Sequence, residues 1–561
     1  MKIVPSIILI LLLICVFGWL NNQPHEVGDD IPQGKLNSLS FAPFWEGQGP
    51  MDEIFPTVAQ MDSDLQLLGE KTHSIRTYAS AEGTLPAIPE LARKYGLKMI
   101  QGAWLSAVAK KNKIEIDELI RSANANPDVV KRVMVGNEVL LRKDLSAEEL
   151  INYIREVKKA VKQPVSYADV WSIYLQHPEL IKEVDFVTIH ILPYWEDEPI
   201  PVEVAPAHIE RIYKQIQSLV DSISPGKAIL IGESGWPSEG RQRGDAIPSV
   251  VNAAKFIRSL IKVANANHFD YNIVEATNQS WKSFQEGVVG ANWGLFSVNR
   301  EEVYPLTGKV YENTNWLMHL EFSIATFLLM VAVFWRPLKA LPLGQATVVL
   351  VLMQVLSVLW INEISLLWYT SYSHLQRLWT ILLVAVNATI FGLLIDRSIN
   401  VLRQQAGNPK CSEWLYKLLL IAIAYATFAT ASISINGRYI SFPIVAVYIP
   451  VIGLLSLSLF RYWAQKSWSF NLNKLTDFNG IQPVKFALMA KLLAYSALAL
   501  LVGETVVFFI STDLISAYPQ IGKRLLVSLG FTFGNQQLLI WMACLAVLAL
   551  PLKASYEKAQ A

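Results

Sequence analysis

Val135-Gly136-Asn137-Glu138 and Gly232-Glu233-Ser234-Gly235-Trp236-Pro237-Ser238 are the two stretches that decide how this chain folds. Each sets a glutamate just after a short apolar run, Val133 to Val135 in the first and Ala228 to Ile231 in the second. Runs of this kind, rich in Val and Ile, read as strands that open into loops. Two carboxylates at the carboxyl ends of strands in one barrel can share a glycosidic bond, one as acid and the other as nucleophile. The pair therefore predicts a (β/α)8 barrel, an α/β fold, and glycoside chemistry.

Outward from these motifs the chain alternates short apolar runs with longer helical stretches. Strands are expected near 38–43, 74–79, 98–104, 132–137, 165–170, 185–191, 228–233 and 271–276. Eight strands interleaved with helices is the barrel number, and Glu138 and Glu233 end the fourth and the seventh. Three units apart, they leave about 32 residues per unit, close to a typical barrel repeat. The competing fold is an open doubly wound sheet, but no glycine-rich phosphate loop follows the first strand.

The chain has 561 residues, 52% of them hydrophobic, and a mean hydropathy of +0.31. That is too apolar for an ordinary soluble protein of this size. Lys and Arg total 48 against 47 acids, so no bulk charge draws the chain to nucleic acid. The cysteines are Cys15, Cys411 and Cys544. The barrel region thus has no disulfide and relies on core packing alone.

Residues 1–20 read as an uncleaved signal anchor, with a cleaved signal peptide as the alternative, since the apolar run Ile3 to Leu20 can span a bilayer and lacks a clear small-x-small cleavage site. Residues 21–36, polar with Pro24, Gly28, Pro32 and Gly34, read as a linker, and 37–315 as the barrel. Residues 316–552 read as an all-α domain of seven spans, near 318–335, 344–361, 378–395, 418–435, 442–460, 489–510 and 534–550, with a cytoplasmic tail at 553–561. A cytoplasmic amino terminus then puts the barrel outside. Arg336, Lys339, Arg397, Arg403, Lys410, Lys417, Arg461, Lys466, Lys474, Lys485, Lys491, Lys553 and Lys558 fall inside, against Arg377, Arg438, Lys523 and Arg524 outside. This bias follows the positive-inside rule.

A retaining glycosidase holds its carboxyls about 5 to 5.5 Å apart and in unlike environments. Glu233 is expected to stay ionised as nucleophile, with Arg76 at the end of strand 2 as the nearby cation. Glu138 is then the proton donor, and the base once a glycosyl-enzyme forms. The amide of Asn137 is placed to bond a sugar hydroxyl beside the anomeric carbon. Phe44, Trp45, Tyr78, Trp104, Trp171, Tyr194, Trp195, Trp236 and Trp281 cluster at the strand ends, where rings can stack on the C–H faces of sugars. His190 either orients the nucleophile, binds a hydroxyl, or is a satisfied core histidine. No cofactor is implied, and no metal, since the region has no cysteine and no His pair at ligand spacing. Asp62-Ser63-Asp64 lies in an amphipathic helical stretch and is assigned to its solvated face.

At these residues the chain resembles glycoside hydrolase family 17, the β-1,3-glucanase family of the retaining clan built on (β/α)8 barrels. The resemblance covers roughly residues 37–310 and rests on the two glutamate motifs. Glu275-Ala276, Trp281-Lys282 and Trp293-Gly294-Leu295-Phe296 are similar to the family's closing segment, which implies sugar contacts for Glu275 and Lys282. Ser234 stands where plant members usually have Thr, and Ile189-His190-Ile191-Leu192-Pro193-Tyr194-Trp195 looks like the bacterial branch. In that branch such barrels accompany β-glucan synthesis and remodelling, including transglycosylation.

The resemblance thus implies a retaining β-1,3-glucan glycosidase or glucanosyltransferase, anchored in a bacterial inner membrane with its barrel on the periplasmic side. Its implied partners are β-glucan, the lipid bilayer and a separate glucan synthase. Two other readings stay open: a non-catalytic glucan-binding receptor, and a membrane part that exports glucan or docks a synthase. Against the first, a binding module gains nothing from two mutually repelling carboxylates. Against export, the spans lack an obvious run of buried ionisable groups.

Overall fold

The computed structural model describes every residue except Met1, Asn479, Ile481, Gln482 and Ala561. Met1 of the segment expected as an anchor and Ala561 of the expected tail lie outside this description, as does the side chain of Lys558. The chain divides into two units, Pro24–Glu312 and the combination of Met1–Gln23 with Asn313–Ala561.

In the first unit, β1 (Leu39–Ser40), β2 (Ser74–Arg76), β3 (Lys98–Ala103), β4 (Val130–Asn137), β5 (Val165–Val170), β6 (Val187–His190), β7 (Ile229–Ser234) and β8 (Asp270–Ile273) form a closed barrel in chain order. Neighbours pair in parallel, and Leu39 opposite Ile273 closes the ring. Closure excludes the open doubly wound sheet. Every expected strand is present, within a few residues of its expected bounds.

Successive side chains of a strand point to opposite faces, so each strand feeds two cores. Met134 of β4 clusters with Ile100, Ala168, Phe186 and Leu230, a layer inside the barrel. Its neighbours Val133 and Val135 join the larger core under the helices. The helix Ala147–Ala160 is typical of that outer ring. Ser146 and Glu149 close a capping box at its start, and Leu150, Ile154 and Val157 form its buried stripe. Truncating Leu150 to Ala would remove about 2 to 5 kcal/mol.

Of residues 21–36, expected as a linker, 24–36 are instead a strap on the barrel. The His25 amide donates to the Val310 carbonyl and that of Ile31 to Leu306, while Val27 and Ile31 are buried in the main core. Arg258 binds the carbonyls of Gly28, Pro305 and Gly308, fastening both ends of the unit together. Two buried apolar residues four positions apart, Val27 and Ile31, were hidden by a Pro- and Gly-rich average composition.

The second unit is helical. Among the described residues, eight of its helices are long and apolar enough to cross a membrane: one over Val4–Asn21 and seven that match the expected segments in order. The helix Leu343–Tyr369 runs beyond its expected end. The apolar reading stopped at Asn362 and Glu363, yet Glu363 is fully buried and accepts a hydrogen bond from Asn387 Nδ2 at 2.6 Å. A buried ionisable group therefore does lie within a span. The helix Ile521–Gly534 was not anticipated, because Lys523 and Arg524 interrupt its apolar pattern. At about 21 Å it is shorter than a hydrocarbon core.

Candidate active site

Four strand ends converge. β2 brings Arg76, β4 brings Asn137 with Glu138 next in the chain, β6 brings His190 and β7 brings Glu233. The turn that presents Glu138 needs a special backbone. Gly136 has φ +89°, and a Cβ there would lie 2.7 Å from Val139 Cγ2; only glycine fits both demands. Glu138 itself sits in the left-handed region at φ +53°, uncommon for a residue with a side chain.

The buried guanidinium of Arg76 joins the two motifs. Its Nη1 donates to Glu233 Oε1 at 2.8 Å and to the Gly232 carbonyl at 3.0 Å, and its Nη2 donates to Asn137 Oδ1 at 2.5 Å. His190 lies between the glutamates, with Nδ1 2.9 Å from Glu138 Oε1 and Nε2 3.6 Å from Glu233 Oε1. One ligand-type atom from each of Glu138, His190 and Glu233 falls within 4.8 Å of the others. One imidazole and two carboxylates could also hold a cation. The histidine is thus a bridge between the carboxyls and not a satisfied core residue.

The two carboxyls sit in unlike surroundings. The Glu233 side chain is 10% exposed and that of Glu138 25%. Burial pushes the Glu233 carboxyl up, but His190, Arg76 and Lys282 together outweigh it and hold the group below its ordinary range. Lys282 also pairs with buried Glu275 at 3.0 Å. Burial is the larger effect on Glu275, moving its carboxyl to about 7 despite the lysine. The other oxygen of that carboxyl, Oε1, is buried without a hydrogen-bond partner. Tyr78 lies under the Arg76 guanidinium, 4.9 Å from the ring centroid, and its phenol is pushed up by burial and by the charge of Glu233.

Sequence reasoning passed over two further acids. Asp169 ends β5 next to Val170; it accepts from the Tyr167 hydroxyl and from the Val170 amide, and burial, reinforced by Glu138, raises it to about 6. Its signal was an acid at a strand end in Tyr167-Ala168-Asp169. Glu286 follows Lys282 by one helical turn and is raised by burial, with Glu138 and Glu233 adding to the effect. Residues four apart share a helix face, so Lys282 pointed to it.

The strand-end aromatics split into two groups. Trp104 is 37% exposed, while Trp171, Trp195 and Trp281 are half-buried. Trp195 stacks on Trp293 at 6.1 Å, and Trp281 Nε1 donates to Gln279 Oε1. Tyr194 and Trp236, both expected to meet substrate, are core residues. Tyr194 is fully buried, packs edge-on against Trp195, Trp236 and Trp293, and donates its hydroxyl to the Arg241 carbonyl. Trp236 is 1% exposed, and its Nε1 donates to the Ile247 carbonyl. Neither has a free ring face for a sugar. Phe44 is also buried, against Phe55 and Trp281.

The Asp62-Ser63-Asp64 assignment is half corrected. Asp62 meets Lys94 and Tyr95 at the surface. Asp64 is buried, however, where both of its oxygens accept from Arg300, at 2.8 and 2.6 Å. The Arg300 guanidinium in turn lies 4.3 Å over the ring of Trp45. An inward-facing acid on an amphipathic helix has no mark in sequence when its cation arrives from the far end of the domain.

Residues 39–294 match the family model described as the BtgE/BtgC glycoside hydrolase domain. Among similar proteins is the glucan 1,3-beta-glucosidase of Arthroderma benhamiae, 28% identical over 266 residues, 45% of this chain and 85% of that protein. The glucan 1,3-beta-glucosidase of Schizosaccharomyces pombe is 28% identical over 262 residues, 44% of this chain and 79% of that one. Of solved structures, an active-site mutant of the Rhizomucor miehei beta-1,3-glucanosyltransferase in complex with laminaritriose is 26% identical, with a TM-score of 0.42 over 48% of this chain and 95% of that one. The barrel of this chain is thus similar to glycoside hydrolase domains, and its two glutamate motifs together with the glucan 1,3-beta-glucosidase relatives support a family 17-like assignment.

Proposed function

We propose that the barrel acts on β-1,3-linked glucan by double displacement, with Glu233 as nucleophile and Glu138 as acid and then base. The observation that carries this reading is the meeting of Glu138, His190 and Glu233 within 4.8 Å, with Glu233 held anionic by the cations around it. Carboxyl oxygens that come within 4.8 Å of one another fit the close pair of a retaining enzyme, about 5 to 5.5 Å, better than the wider pair of an inverting one, about 6.5 to 9.5 Å. The glucan assignment follows the relatives, which are named for glucan 1,3-beta-glucosidase activity.

In the first step the Glu233 carboxylate bonds to the anomeric carbon while the glycosidic C–O bond breaks. The departing oxygen takes the proton of Glu138. In the second step Glu138 removes a proton from water or from a sugar hydroxyl, which displaces Glu233. Arg76 keeps Glu233 ionised and aligns Asn137 for a substrate hydroxyl. Glu275 and Lys282 take further hydroxyls, and His190 links the two carboxyls. Tyr78, Trp104, Trp171, Trp195 and Trp281 line the path of the chain.

Eight helices among the described residues are long and apolar enough to cross a bilayer, which supports a membrane-embedded protein. The distribution of basic residues puts the barrel on the outer side, the periplasmic face of a bacterial inner membrane. Its task there is β-glucan remodelling, alongside a separate synthase. Incubating the detergent-solubilised full chain with laminari-oligosaccharides tests the reading. First-formed products of retained anomeric configuration are expected, shorter for hydrolysis and longer or branched for transfer. Inverted products, or no turnover of β-1,3-linked substrates, would overturn it.

A further inference from the structure

We infer that Arg142 is a positioning residue that holds the proton donor Glu138 in place by clamping the ends of β3 and β4 together. This inference rests on the glycosidase reading above.

Four groups meet the Arg142 guanidinium. Its Nη1 donates to the Asn137 carbonyl, the peptide that leads into Glu138. Its Nη2 donates to the Leu105 carbonyl at 2.9 Å, just past the end of β3. Its Nε donates to Asp144 Oδ2 at 2.8 Å, and its Cζ lies over the Trp104 ring, 4.4 Å from the centroid. The Arg142 amide also donates to the Glu138 carbonyl at 2.9 Å.

Glu138 needs such a clamp. Its φ of +53° is held only where the surroundings over-determine it. On one side its amide donates to the Ala168 carbonyl of β5 at 2.8 Å. On the other, Arg142 fixes the carbonyl immediately before it. The carboxyl itself is oriented by His190 Nδ1. A lysine cannot take over, because the contacts need a planar fork and a stacking face where an ammonium offers a point charge. The Arg142 side chain is 29% exposed, so shortening it leaves the apolar core filled.

Loss of the clamp should harm the step that needs a proton and spare the step that does not. A sugar leaving group requires the Glu138 proton as its bond to the anomeric carbon breaks. A dinitrophenolate leaves as the anion.

The test compares Arg142→Met and Arg142→Lys in the detergent-solubilised full chain, with laminaritetraose and with dinitrophenyl β-laminaribioside as substrates. We expect kcat/KM to fall about 50-fold on the tetraose and less than about 3-fold on the aryl glycoside in both variants, with unchanged melting. Equal losses on the two substrates, no loss, or recovery in the lysine variant would overturn the inference. Should Arg142→Met not fold, Asp144→Ala removes only the surface anchor at Nε. It should show the same preference, about 5-fold against none, and an even response overturns the inference again. The parent reading fails differently: the unaltered chain turns over neither substrate, or Glu233→Gln keeps its activity.

Discussion

The ends of β4 and β7 present the same residue to the same gap and treat it differently. At β7, Glu233 is almost closed off from solvent, bonded to Arg76 and within reach of His190 and Lys282. At β4, Glu138 is more exposed and has one imidazole beside its carboxyl, while its backbone is held in an unusual conformation. One site fixes a charge, and the other fixes a direction. A nucleophile needs the first and a proton donor needs the second.

The largest test of this contrast is to remove each carboxylate in turn. Glu233→Gln should lower kcat by about four orders of magnitude on any glycoside, because the covalent step is lost. Glu138→Gln should do the same on laminari-oligosaccharides and leave most of the first step on a dinitrophenyl glycoside. Steady-state and burst kinetics on the two substrates check both, and interchangeable behaviour would erase the distinction.

Arg76→Met comes next, with an expected loss of about 100-fold in kcat/KM. Its sign on pH is set by Glu233, whose carboxyl is held below its ordinary range and must be ionised to attack in the proposed mechanism. With one cation gone the group protonates at higher pH, so the acidic limb of the kcat/KM profile should move upward. A stationary limb would assign that ionisation to another group. Lys282→Met should move the same limb in the same direction by less, with about a tenfold loss, since the lysine is shared with Glu275.

The smallest effects separate the aromatic residues. Trp104→Ala should raise KM for laminari-oligosaccharides about 5-fold, as expected for one stacking face. Tyr194→Phe should leave KM alone and lower stability by about 1 kcal/mol through its lost hydrogen bond. Thermal melting and steady-state kinetics on both variants read the two effects apart.

The barrel and its two glutamates were legible because their signals are local. A Val-rich run followed by Asn137-Glu138, and another by Glu233-Ser234, marks a strand end without reference to anything else. The long apolar helices were legible for the same reason. Tyr194 and Trp195 show where this stops. They are neighbours at one strand end, yet the first is core and the second half-exposed, according to how Trp236 and Trp293 pack around them. Asp64, Glu286 and the strap at 24–36 escaped likewise, since each takes its meaning from a segment distant in the chain or from the fold of a loop.

Taken alone, the sequence settled what repeats or adjoins along the chain: eight strand-helix units, a glutamate after the fourth and seventh strands, and a set of apolar helices. The tertiary structure alone decided what surrounds those glutamates, such as Arg76 reaching Glu233 across 157 positions. The reason is one of range. Periodicity is written between neighbours in the chain, whereas charge and burial depend on distance through space, which exists only once the barrel has closed.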